Sequence, residues 1–509
     1  MRGRKLLYNT LLLTGASMFM RAVTVSFQVY LAGVIGPAGV GLFSLIASAQ
    51  FFALTFATSG IRFATTRLVS EEIGQNRHAN VPLVMRRAFC HALFFGTLAA
   101  LFLFTAAPLI GRVWIDDLRT ILPLRILAIS LPCIAIIASL NGYFVAVSRV
   151  VKSASMSVFE YMLRIGVVVF LFTFHTPGDL ESALVTVVIG GVLSEVLSCL
   201  ILLTLYLHDK RHIPNGKRSS VHLSRRLLGI SLPLAFSTYA RSALNTLQHM
   251  LIPRGLRESG ITGDDALANY GLVHGMALPI VLFPSAVFYS VSELMIPELT
   301  AAQVANDTRR IRHLVSQLLR FSLYGAIGLS GLFLVFALPL GDLIYPNTAG
   351  VGVYIRILAF LMPIMFLDAI TDGMLKGLGQ QVYSMGVNII DSLLSVVLVY
   401  LLLPIFGIRG FLFMVFFTEA FNFLLSLRRI LQMTRVDLGL SHILRPILSI
   451  LFATQVAMLL ARTIGIALTA SLFSVTVHLL LSALLYTFTL CLLGCFSRAD
   501  LQKFRRLLT

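Results

Sequence analysis

Apolar stretches long enough to cross a bilayer alternate with short polar loops along the whole chain. A membrane helix needs about 20 mostly apolar residues. Fourteen stretches meet that length: roughly 6–34, 39–64, 87–111, 121–148, 153–174, 183–207, 227–253, 267–296, 315–341, 353–377, 382–404, 408–427, 444–463 and 470–495. Runs such as LLYNTLLL and LFLFTAAPLI are apolar on every face, and the period-two alternation of a membrane barrel is absent, so the pattern predicts an all-α integral membrane protein. Outer loops such as GPAG at 36–39 and HTPGD at 175–179 are too short to house an active site, which sends any chemistry into a cavity inside the membrane.

The same pattern is duplicated. RILAISLP at 125–132 and RILAFLMP at 356–363 lie 231 positions apart, and that offset carries Pro108 onto Pro339, Gly142 onto Gly373, Ser153 onto Ser384 and Glu160 onto Asp391. With slightly different offsets, Arg21 and Gln28 fall on Arg241 and Gln248, Gly41 on Gly271, and Glu195 on Glu419. The expected organisation is an N-lobe of six helices (1–208), a basic cytoplasmic linker (209–226), a C-lobe of six (227–434), and two extra helices (444–496) without counterparts. Six helices per copy leave both copies in the same orientation, related by an axis along the membrane normal, and function is expected where such halves meet.

Composition agrees: 57% of the 509 residues are hydrophobic and 12% charged, with mean hydropathy +0.89, outside the range of ordinary soluble domains. The charge is asymmetric. With a cytoplasmic N-terminus, 27 of the 40 Lys and Arg fall on cytoplasmic segments and 8 on outer ones, the positive-inside bias, so both termini are expected in the cytoplasm. The net charge of +18 is scattered over short loops with no nucleic-acid module; topology and contact with anionic membrane lipids account for it. The opening apolar run is too long for a signal peptide and reads as a retained first helix. Cys90, Cys133, Cys199, Cys491 and Cys495 all fall in predicted spans and read as buried apolar thiols, with no further ligands for a metal.

Five arginines remain within or at the edge of spans: Arg21, Arg62, Arg164, Arg241 and Arg320. A charge at the bilayer centre costs about 2.5–3.5 kcal/mol even on the lenient insertion scale, so such residues face water or a partner. Arg21 and Arg241 occupy matching places in the two copies and could clamp one anionic group, because guanidinium forks match phosphate oxygens; Arg62 could be a third contact. The alternative is that they pair with membrane acids. Glu160 with Asp391, and Glu195 with Glu419, are duplicated carboxylates suited to binding sodium or relaying protons. For Glu160 an ion pair with Arg164, one turn on, is the expected explanation. Position 395, matching Arg164, is Ser, which makes Asp391 the stronger ion-coupling candidate. Asp368 and Asp372 could line the cavity or cap a break near Gly373. Gln28, Gln248, Asn245 and His249 add polar lining or interhelical hydrogen bonds. Gly325, Gly328 and Gly331 signal close packing of helix nine, and Pro132, Pro279, Pro284 and Pro363 permit kinks. No phosphate-binding loop, HExxH or GxSxG is present, so an enzyme or ATPase is not expected and no cofactor is implied.

IGPAGVGLF and SGIRFATTRLVSEE, within the stretch 8–72, resemble the stage V sporulation protein B-like branch of the polysaccharide flippases, in the multidrug, oligosaccharidyl-lipid and polysaccharide exporter superfamily. The resemblance covers essentially the whole chain. It implies two lobes that open alternately to each side of a bacterial cytoplasmic membrane, and export of an undecaprenyl-diphosphate-linked saccharide. In related lipid II flippases, arginines of the central cavity engage the substrate pyrophosphate; Arg21 and Arg62 match that arrangement by helix, Arg241 by symmetry. The resemblance also implies a groove for the lipid tail involving the two extra helices. The other readings are a cation-coupled multidrug exporter, a membrane polymerase or ligase, for which the outer loops are too short, and a non-transporting envelope-assembly scaffold.

Overall fold

The computed structural model describes residues 2–58, 60–147, 150–174, 177–211, 223–261, 263–436 and 439–495. Most of the linker, residues 212–222, lies outside the described residues. Among the described residues there are helices and no strands. In chain order they are α1 (Arg2–Thr58), α2 (Ile61–Gly74), α3 (Val81–Leu109), α4 (Ile121–Ala146), α5 (Val150–Phe174), α6 (Leu180–Lys210), α7 (Leu223–Glu258), α8 (Gly263–Tyr270), α9 (Leu278–Leu282), α10 (Ser285–Val304), α11 (Thr308–Ile344), α12 (Val351–Ala359), α13 (Met362–Gly377), α14 (Gln381–Phe406), α15 (Ile408–Thr434), α16 (Ser441–Thr463) and α17 (Leu472–Leu492).

Ten described helices are long and apolar enough to cross a membrane, or twelve if two bent pairs each form one span. The first of the ten covers Met18–Gly74, 57 residues. At about 1.5 Å per residue it would measure about 86 Å, well over the bilayer's hydrocarbon core of about 30 Å. Gly36 breaks it with a left-handed φ of 68°, just before Pro37. α7, polar at Arg241, Asn245, Gln248 and His249, is not among the ten. Fourteen spans therefore require that Gly36 separate two of them and that α7 count as another.

The bent pairs are α8–α9 with α10, turned by 57° at Pro284, and α12 with α13, turned by 55° next to Pro363. Proline removes the N–H that would continue the ladder, and the helix bends there. Pro132, the duplicate of Pro363, sits inside an unbroken α4, where a Cβ on Gly96 would lie 2.8 Å from its Cα. The break expected near Gly373 does not occur: α13 runs through it, and the bend falls at Phe360–Leu361.

By contact the chain divides into one unit of Met1–Gly41 with Gly263–Thr509 and another of Leu42–Thr262. The lobes expected from the repeat, 1–208 and 227–434, differ from these contact units by one helix each, the first limb of α1 and α7. Hydrogen bonds explain the placement of α7. Its Ser242 and Thr246 hydroxyls meet Thr55 Oγ1 at 3.2 Å and the Ser48 carbonyl at 3.1 Å. Arg226 at its start pairs with Glu71 and Glu72, and Arg257 near its end with Asp116 at 2.8 Å. The core of this unit joins Ile61, Leu68, Met85, Leu140, Phe144 and Leu202 from α2, α3, α4 and α6.

The duplicated glycines pack alike. A Cβ on Gly142 would stand 2.6 Å from the Arg62 carbonyl, pressing α4 on α2; one on Gly373 would stand 1.8 Å from Ser292 Oγ, pressing α13 on α10. The extra pair α16 and α17 docks on α11, where a Cβ on Gly331 would meet Ile450 at 2.4 Å and one on Gly328 would meet Tyr486 at 2.4 Å. The cysteines depart from expectation. Cys199 is buried, but Cys90 and Cys491 are exposed, and Cys133 and Cys495 are half-buried, packed against core clusters.

Candidate substrate and ion-coupling site

Arg21 lies on the first limb of α1, half-buried. Its Nη1 donates to the Leu282 carbonyl at 2.8 Å, at the proline break between α9 and α10. Its guanidinium stands 5.8 Å from the Tyr289 ring centroid, a cation–π contact. Among the described residues Arg21 makes no ion pair. Gln28, two turns along and therefore about 10 Å away on the same face, keeps a buried Oε1 with no hydrogen-bond partner.

The same unit holds an acidic cluster. Glu419 on α15 interacts electrostatically with Asp368 on α13 and Asp391 on α14, while Tyr289 feels Arg21, Asp368, Glu419 and Asp372. The structure thus brings the sequence candidates Asp391 and Glu419 together and adds Asp368. A search by duplication passes over Asp368, whose counterpart is Ile137. Asp372 is already engaged, by Lys376 Nζ at 2.6 Å and by the Ser384 hydroxyl.

In the other unit, the duplicated acids are arranged differently. Arg164 bridges α5 to α6, with Nη2 2.5 Å from Glu195 Oε1, instead of pairing with Glu160 on its own helix. Glu160 feels both charges without a hydrogen bond to either. This replaces the expected i, i+4 pair: Glu195, only 5% exposed, has the greater need of a counter-charge. Arg62 on α2 and Arg241 on α7 are exposed, and neither side chain forms an ion pair among the described residues. Asn245, Gln248 and His249 are half-buried along α7. The structure therefore gathers Arg21, Asp368, Asp391 and Glu419 in one unit and Arg62, Arg241, Glu160 and Glu195 in the other.

One network lay beyond the sequence reading. Glu72, 1% exposed, accepts from Asn80 Nδ2 at 2.8 Å and pairs with Arg226 at 3.2 Å, so the closing acids of SGIRFATTRLVSEE anchor the start of α7. Adjacent acids at an N-terminal motif's end were the available signal, but their partner lies 154 residues away.

A family model for polysaccharide biosynthesis proteins matches residues 6–303, more than half of the chain. The chain belongs to that family. A second model, that of the MatE family, matches 259–401, the segment carrying Asp368 and Asp391. Stage V sporulation protein B of Bacillus subtilis is 27% identical over 418 residues, 79% of each chain. Among solved structures, the lipid II flippase MurJ in an inward closed conformation superposes with a TM-score of 0.71 at 14% identity, covering 94% of this chain and 98% of that one. An inward-facing multidrug-resistance MATE transporter does so at 0.63 and 16% identity, covering 82% and 96%. This member of the polysaccharide biosynthesis family is thus a multi-pass membrane protein with the fold of that transporter superfamily.

Proposed function

We propose that the protein flips a lipid-linked saccharide, an undecaprenyl-diphosphate-linked polysaccharide or peptidoglycan precursor, from the inner to the outer leaflet by alternating access. The observation that carries this reading is Arg21: a half-buried guanidinium in a membrane span, held at one edge by the Leu282 carbonyl and matched to no carboxylate among the described residues. Such a cation offers its remaining N–H donors to a diphosphate. Arg62 and Arg241, exposed and unmatched, supply further phosphate contacts. The family and the likeness to stage V sporulation protein B and the lipid II flippase support the substrate class. Glu419 with Asp391 and Asp368 is the ion-coupling site in this reading, binding H+ or Na+ to reset the carrier. Glu195, committed to Arg164, and Glu160 beside it are structural. The protein resides in the bacterial cytoplasmic membrane with both termini in the cytoplasm, as its basic residues are distributed.

The test is binding of undecaprenyl-diphosphate-linked saccharide to purified wild type and to Arg21→Ala/Arg241→Ala, followed by flipping in liposomes under H+ and Na+ gradients. The double variant should lose binding by at least tenfold. Equal binding in both proteins would refute the diphosphate assignment. The second reading, a cation-coupled multidrug exporter, draws on the MatE match over the acidic cluster; drug efflux without saccharide flipping would select it. Full envelope function in the double arginine variant would instead fit a scaffold.

A further inference from the structure

The two helices that the duplication does not account for help build a second site. α11 and α16 run parallel, since Tyr324 meets His442 at one end and Gly331 meets Ile450 further along. Between them and α13 lies an apolar groove of about 280 Å³, lined among others by Ile327, Leu334, Pro363, Ile450 and Leu451. At the Ser441 end of the same helices the surface turns basic. Arg320 and Arg445 both act electrostatically on His442, whose Nδ1 is 2.7 Å from the Tyr324 hydroxyl; Tyr486 Oη donates to the Tyr324 carbonyl at 2.7 Å and fixes that ring. Arg320 bonds only the Ser316 carbonyl of its own helix, and neither arginine has a carboxylate partner among the described residues.

The spacing suits one class of molecule. At about 1.5 Å per residue, Ile327 stands about 10 Å beyond Arg320, within the roughly 15 Å depth of one leaflet's hydrocarbon, half of the bilayer core, while Leu334, about 21 Å along, lies past the midplane. Guanidiniums match phosphate oxygens, two of them act on the one His442, and the groove opens on the face of α11 that carries Arg320, where it takes an acyl chain. We propose that Arg320, Arg445 and the α11–α16 groove bind one anionic glycerophospholipid, with its phosphate in the basic surroundings of Arg320 and Arg445 and an acyl chain along Ile327 and Ile450. The lipid wedges the appended helices against α11 and is not the transported molecule. This assignment stands whether or not the protein is a flippase.

The full-length protein, purified in detergent, is titrated with phosphatidylglycerol and with phosphatidylcholine of the same chain composition, and retained lipid is read by native mass spectrometry. Wild type should prefer phosphatidylglycerol on the order of thirtyfold, the effect of two juxtamembrane cations. Arg320→Gln/Arg445→Gln should bring the two lipids near parity, and the exposed-site variant Arg445→Gln, which threatens folding least, should lose about fivefold. Leu451→Trp, filling the groove, should weaken both lipids together. An unchanged preference in Arg445→Gln and the double variant overturns the proposal. So does displacement of phosphatidylglycerol by undecaprenyl diphosphate at equal concentration, which would give the groove to the transported lipid.

Discussion

Replacing Arg164 with Gln strips the counter-charge from Glu195, a carboxylate 5% exposed whose Oε2 already lacks a hydrogen-bond partner. Removing one partner of a buried pair costs about 3–5 kcal/mol, because the other charge is left uncompensated. Arg164 is itself 31% exposed, so water softens the pair and the lower end is expected, about 3 kcal/mol. Glu195→Gln alone leaves a cation on a long side chain that can reach towards water, costing about 1–2 kcal/mol. The double variant carries two neutral amides able to hydrogen-bond across α5 and α6, and should fall within about 1 kcal/mol of wild type. The cycle should therefore give a coupling of about 3–5 kcal/mol between positions 164 and 195. Unfolding in mixed micelles, titrated with sodium dodecyl sulfate and followed by tyrosine fluorescence and circular dichroism, measures each corner. Glu160→Gln provides the control and should couple to Arg164 more weakly than Glu195 does. A 164–195 coupling under about 0.5 kcal/mol, the scatter of independent sites, or a larger coupling to Glu160, would refute the reasoning.

Gly271→Ala would place a Cβ 2.1 Å from the Pro37 carbonyl oxygen, backbone that cannot yield cheaply, and should cost about 1–3 kcal/mol or more; an unaltered melting temperature and gel-filtration profile would contradict this. Arg226→Gln should cost about 1–3 kcal/mol, since Glu72 is 1% exposed and keeps only Asn80. Hydrogen exchange should then rise at the start of α7, and unchanged exchange there would count against the anchor. Glu419→Gln should abolish the dependence of liposome flipping on an ion gradient, whereas Asp372→Asn, altering a carboxylate already held by Lys376 and Ser384, should preserve it. Loss of gradient dependence in both variants or neither would remove the distinction drawn between these acids.

The helix class was legible because it rests on run length, which survives without knowledge of neighbours. The proline at 284 and the glycine at 36 likewise act through local backbone chemistry, and both mark real breaks. Pro132 shows the limit of that logic: it closes a motif like that of Pro363, yet its helix continues unbroken. The partner of Arg164 was also illegible. The i, i+4 rule sees one helix, while Glu195 lies 31 residues away on the next. Asp368 was visible as an acid but not as a member of a cluster, since only its neighbours Asp391 and Glu419 have duplicates. The contact units also could not be read from a linear repeat, because the hydroxyls of Ser242 and Thr246 that bind α7 to the second limb of α1 carry no signal in hydropathy.

Gly41 and Gly271 are the same position in the two copies, and they touch: a Cβ on Gly271 would stand 2.8 Å from the Gly41 nitrogen, while one on Gly41 would stand 3.2 Å from the Gly271 nitrogen. Neither glycine can gain a side chain without displacing the backbone of the other's segment, so this crossing point is bare backbone on both sides.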